Sequence, residues 1–125
     1  MELVTRRIAL HYSSTDLDAC LTFYRDLLGF TVPKDLVLTN GERWVVVAHP
    51  DNDGIQLHFH PPREDESPHN SPCQLDFSHP DPQSLIPALR DAGHDVDEYE
   101  YPYTWGIMID DPVGNRVCLS FWGDD

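Results

Sequence analysis

The feature that most constrains this chain is a repeat. In the stretch 24–32, Tyr24-Arg25-Asp26-Leu27-Leu28-Gly29-Phe30-Thr31-Val32 closes a helix on glycine and opens a strand. In the stretch 89–96, Leu89-Arg90-Asp91-Ala92-Gly93-His94-Asp95-Val96 does the same. Reading outward from these joints, each half runs strand, helix, three strands, with a period of about 60 residues. A chain of 125 residues has room for two such modules and little else.

In the first half, Arg6 to Tyr12 reads as a strand. Ser14-Thr15-Asp16 offers N-cap oxygens. Cys20, Phe23, Tyr24, Leu27 and Leu28 then recur on one helical face as far as Gly29. Phe30 to Val32 starts a strand that resumes at Val37 to Thr39, and Asn40-Gly41 predicts a tight hairpin turn. Trp44 to Ala48 and Ile55 to His60 are the remaining strands, with a turn expected at Asp53-Gly54. Residues 61–72, proline-rich and acidic without periodicity, read as a linker. The second half restarts with a strand from Cys73 to Ser78. Asp81-Pro82 opens a helix running to Gly93. Pro87, inside that helix, is expected to remove a hydrogen bond and bend it. Strands follow at Asp95 to Tyr99, Gly106 to Ile109 and Val117 to Trp122, the last two joined by the turn Asp111-Pro112-Val113-Gly114-Asn115.

Composition narrows the partners. Twenty-two acidic residues against eight basic ones give a net charge of −14. Such a surface repels phosphate backbones, which argues against nucleic acid, and it attracts cationic ligands. No apolar run approaches the roughly 20 residues a membrane helix needs. Met1 to Arg7 lacks a signal peptide's apolar stretch, so a cytoplasmic location is expected. Cys20, Cys73 and Cys118 are odd in number and lack CxxC spacing, which suggests neither a disulfide framework nor a zinc ribbon.

Two stretches carry a family resemblance. Thr15 to Phe30, with Phe23-Tyr24-Arg25-Asp26-Leu27-Leu28-Gly29-Phe30 at its end, resembles the first helix of the vicinal oxygen chelate superfamily of glyoxalases, bleomycin-resistance proteins and extradiol dioxygenases. Asp111-Pro112-Val113-Gly114-Asn115-Arg116-Val117 is similar to that superfamily's C-terminal hairpin. The resemblance implies an α+β fold of two βαβββ modules, forming an open, cup-shaped mixed sheet with helices outside, and a homodimer. It also implies a single domain, with module 1 near 6–60 and module 2 near 73–122. The superfamily's metal enzymes hold a divalent ion with four cup residues, and the matching positions here are Ala9, Gln56, Gln74 and Cys118. Ala9 has no ligand atom, the glutamines are weak neutral donors, and a thiolate is soft for hard cations.

Strand alternation nominates the side chains that face the cup. Ile8, Leu10, Ile55, Leu57, Phe59, Leu75 and Phe77 are expected under the helices. His11, Trp44, Val46, Gln56, His58 and His60 then face the cup from the first half. Gln74, Asp76, Cys118, Ser120 and Trp122 face it from the second. Tyr99, Tyr101, Tyr103 and Trp105 join Trp122 as a wall for a flat ligand, with cation–π capacity. The ligand-binding set is thus His11, Trp44, Gln56, His58, Gln74, Asp76, Tyr103, Trp105, Cys118 and Trp122, with no metal and no cofactor. The functional expectation is sequestration of a drug-like or metabolite molecule, cationic or aromatic, as in antibiotic resistance by bleomycin-binding relatives. Three alternatives stand beside it. One is a metal-dependent lyase, epimerase or dioxygenase using a shifted site at His11, His58 and Asp76. Another is a Cys118–histidine nucleophilic pair, and the last is a scaffold without a ligand. His11 and His58 are expected to titrate near neutral pH.

Overall fold

A computed structural model describes residues 7–62 and 73–123. The fold is α+β, built from two βαβββ modules that form separate compact units, one within residues 1–70 and one within 71–125. In the first, β1 (Ile8–Ser13), α1 (Leu17–Leu21), β2 (Thr31–Val37), β3 (Arg43–His49) and β4 (Asn52–His60) make a sheet of order β1-β4-β3-β2. In the second, β5 (Gln74–Ser78), α2 (Ile86–Asp91), β6 (Asp97–Tyr101), β7 (Thr104–Asp110) and β8 (Arg116–Trp122) make the sheet β5-β8-β7-β6. The opening strand of each module lies parallel to the closing one; the other pairs are antiparallel. No described helix is long and apolar enough to cross a membrane. The linker expected at 61–72 falls largely outside the described residues.

Asp16 caps α1, accepting the Ala19 N–H at 3.0 Å. The helix then widens into a π turn at Thr22–Leu27, where the Leu28 N–H reaches the Phe23 carbonyl. The extra residue per turn lets Phe23 and Tyr24 both point inward, at 2% and 0% exposure, with Tyr24 against Phe30 and Phe59 and Phe23 edge-on to Tyr24. Tyr12, Leu57 and Phe59 complete this buried layer. Ile8 and Ile55, expected beneath the helix, are register partners and are 57% and 43% exposed.

A 3-10 turn at Pro82–Leu85 precedes α2, and Pro87 falls at its second position, where the helix needs no N–H from it. Gly93, at φ 91°, then allows the His94 N–H to bond the Leu89 carbonyl at 3.0 Å. The β3–β4 turn is Pro50-Asp51, not Asp53-Gly54, and His49 pairs with Asn52 across it. The hairpin between β7 and β8 is pinned from inside. Asp111 accepts the N–H groups of Val113 and Asn115 and the Asn115 side-chain amide, at 3.0, 2.8 and 3.0 Å. Asn115, fully buried, in turn accepts the Cys73 N–H at 3.0 Å and so ties the hairpin to the start of β5.

Candidate functional site

Each sheet has one face under its helix and one turned away from it. In the first module the row His11–His58–Val46–Lys34 crosses β1, β4, β3 and β2 on the face turned away. His11 and His58 lie tilted at 4.7 Å between ring centres, and Trp44 stacks on His60 at 4.7 Å. The Trp44 indole N–H donates to His58 Nδ1 at 2.9 Å. An indole N–H can only donate, so Nδ1 carries the lone pair and the ring proton sits on Nε2. That N–H donates to Gln56 Oε1 at 2.9 Å. The Arg7 guanidinium reaches the same oxygen at 3.5 Å and passes 3.3 Å from Nε2. Burial, with the positive neighbours His11, Arg7, Lys34 and His60, holds the His58 pKa down at about 4. The expectation that His58 titrates near neutrality is therefore corrected.

In the second module the equivalent face carries a line of polar groups. Tyr99 on β6, Gly106 on β7 and Ser120 on β8 are register partners. Gly106 has no side chain to block the gap, so the Tyr99 phenol bonds Ser120 Oγ across it. A Cβ at Gly106 would lie 2.1 Å from the Leu119 carbonyl oxygen and 2.7 Å from the Tyr99 hydroxyl. Ser120 passes the chain on, donating to Asp76 Oδ1 at 2.6 Å. Burial pushes the Tyr99 pKa up, and the phenol stays neutral. Tyr99, Ser120 and Asp76 line a cavity of about 340 Å³, together with Tyr101, Tyr103 and Trp122. Tyr103 and Trp122 stack at 6.0 Å and are 68% and 39% exposed, leaving ring surface for a ligand.

The sequence-nominated residues sort into these two faces with one exception. His11, Trp44, Gln56 and His58 share the first; Gln74, Asp76, Tyr103, Cys118 and Trp122 share the second. Trp105 belongs to neither. It is the register partner of Phe121, one residue out of phase with Trp122, and packs on that ring at 4.6 Å. It lines a different groove with Gln83, Glu98 and Glu100; that groove is larger, about 610 Å³, but brings fewer rings together. Clustering of aromatics in sequence had suggested a shared wall, and alternation from Trp122 across the hairpin was the signal that separates them. Thr104, Met108 and Gly106 were not nominated, for their place on the wall depends on β7 register, which no local motif specifies.

The four superfamily metal positions do not fit a divalent ion. Ala9 has no donor, and the Gln56 oxygen is engaged by His58 and Arg7. The Gln74 amide donates to Cys118 Sγ at 3.5 Å. Burial and the Asp76 carboxylate push the Cys118 pKa up, so its thiol keeps its proton at neutral pH. That also removes the thiolate a nucleophilic role would need. The shifted set fares no better, since the His58 lone pair is taken by Trp44. Among the described residues, no three His, Cys, Asp or Glu side chains gather as a metal set.

A family model described as a glyoxalase-like domain matches residues 8–120. No curated protein matches the chain. Among solved structures, it is similar to TnmS3, an antibiotic-binding protein from Streptomyces sp. CB03234, with a TM-score of 0.76 and 22% identity over 98% of this chain and 100% of that one. A glyoxalase/bleomycin resistance protein from the same Streptomyces gives 0.70 and 24% over 90% and 97%. Lactoylglutathione lyase from Agrobacterium tumefaciens gives 0.66 and 18% over 98% and 99%.

Proposed function

The chain belongs to the glyoxalase-like domain family, and from that membership we propose that it is a metal-free binding protein for an aromatic, cationic small molecule. One observation carries the reading. A carboxylate, Asp76, bonded by Ser120, lines a cavity together with tyrosines and Trp122. Rings attract a cation through their negative faces, and the carboxylate supplies the counter-charge. The cavity volume, about 340 Å³, lies in the range used for drug-sized ligands. TnmS3, described as an antibiotic-binding protein, has the same fold and lends support. A lyase has it too, but metal-dependent chemistry would need donors that Ala9, Gln74 and Cys118 do not offer.

The test is a thermal-shift series with paired probes, phenyltrimethylammonium and its neutral isostere tert-butylbenzene. The cation should stabilise the parent protein, and Trp122→Ala should remove the shift while Trp105→Ala leaves it. Equal shifts from both probes would reject the cationic ligand.

The reading extends to a homodimer. Each four-stranded sheet has edge strands with open backbone groups, and β2 exposes Leu36 and Val37 beside its edge. Light scattering at micromolar concentration should give twice the chain mass; a monomer contradicts it.

A further inference from the structure

We propose that the open face of the first module's sheet is a binding site of its own for a flat organic anion, an aromatic carboxylate or phenolate, held between Arg7 and Lys34 against Trp44 and His11.

The charge distribution carries the argument. Acidic residues outnumber basic ones 22 to 8, so a cation left without a carboxylate is against the odds. Arg25 pairs with Asp26, Arg43 with Asp18 and Asp35, and Arg116 with Asp97 and Asp110. Among the described residues, Arg7, Lys34 and Arg90 have no such ion pair. Arg7 and Lys34 belong to one face. Arg7 reaches Gln56 and His58, and Lys34 stands in the row that runs through Val46 to His58. The side chains alternating onto this face, from Ala9 to Ser13, Gln56 to His60, Trp44 to Ala48 and Lys34 to Leu36, include no Asp or Glu. Asp35 turns to the other side, where it accepts from Arg43 at 3.0 and 2.9 Å.

The rings on this face are also held against one another. His11 and His58 lie tilted at 4.7 Å between ring centres, and Trp44 meets His11 edge-on at 5.7 Å. The Trp44 N–H is spent on His58, which fixes both rings before any ligand arrives. The two cations would meet the anionic group and the rings the apolar body. The chain as a whole repels anions, so binding here depends on this local pair and not on the long-range field.

The experiment follows the Trp44 indole resonance by NMR during addition of benzoate at constant ionic strength, with benzyl alcohol as the neutral isostere and sodium phosphate as the non-aromatic anion. Benzoate should move the resonance with the highest affinity. Arg7→Gln and Lys34→Gln, both at exposed positions, should each weaken benzoate by about two- to fivefold, as for exposed ion pairs. Arg90→Gln makes the same change in net charge elsewhere and should have no effect. Asp76→Asn, in the other module, should leave benzoate binding unchanged, which keeps this site separate from the cavity proposed above. The inference is overturned if benzyl alcohol or phosphate matches benzoate, if Arg90→Gln weakens binding as much as Lys34→Gln, or if neither Arg7→Gln nor Lys34→Gln has an effect.

Discussion

Trp44 donates its indole N–H to Nδ1 of His58 at 2.9 Å, and this bond assigns the proton of a buried histidine. The ring must be neutral for the bond to exist. In the unfolded chain, histidine takes a proton near pH 6.5; in the fold, His58 resists until about pH 4. Between those values the unfolded state binds more protons. The stability that His58 contributes is therefore intact above about pH 6.5 and lost as the pH falls through 4. NMR titration of the imidazole should give a midpoint near 4. Trp44→Phe keeps a ring but removes the donor, so that midpoint should rise, with a loss of about 1 kcal/mol in stability. A midpoint near 6.5 in the parent would refute the assignment.

Gly106 offers a second check. An added methyl would meet the Leu119 carbonyl oxygen at 2.1 Å, inside any tolerable contact. Strand β7 must then move off β8, and Tyr99 loses its path to Ser120. Gly106→Ala should cost about 3 kcal/mol in denaturant unfolding, at the upper end for overpacking. Ser120→Ala removes only the hydroxyl link and should cost less. A tolerated Gly106→Ala would mean that the register across β6, β7 and β8 is wrong.

Asn115 supplies a third. Its amide serves Asp111 and its oxygen serves the Cys73 N–H, with no exposure to water. Asn115→Ala leaves buried partners unsatisfied on both sides, and a loss of about 2–4 kcal/mol is expected from two such groups. Asn115→Asp should not rescue it, because a second carboxylate would face Asp111. Chemical unfolding of both variants reads this out.

Much of this architecture was legible in the sequence because it rests on local chemistry. Gly29 and Gly93 end their helices by adopting positive φ, and alternation in Ile55 to His60 put Gln56, His58 and His60 on one face. What was not legible depends on registers and on residues far apart in sequence. The Tyr99–Ser120–Asp76 chain joins β6, β8 and β5, and it needs a glycine on β7 in line with the first two. Trp105 was misassigned because a cluster in sequence spans both sheet faces. The widened turn in α1 escaped too, since Phe23 and Tyr24 fit an ordinary helical stripe until both must be buried. The neutral state of His58 was out of reach because its causes, burial first and then the nearby His11, Arg7 and Lys34, come from separate segments.

The proposed function of the second module is binding of an aromatic cation through Asp76 without a metal. The direct measurement is isothermal titration of phenyltrimethylammonium into protein treated with chelator, for the parent and for Asp76→Asn. Binding in the parent that added zinc or nickel does not strengthen is expected, with a weakening of about fivefold or more in Asp76→Asn, as for a charge-assisted contact. Binding that appears only with added metal, or that is equal in parent and variant, would contradict it.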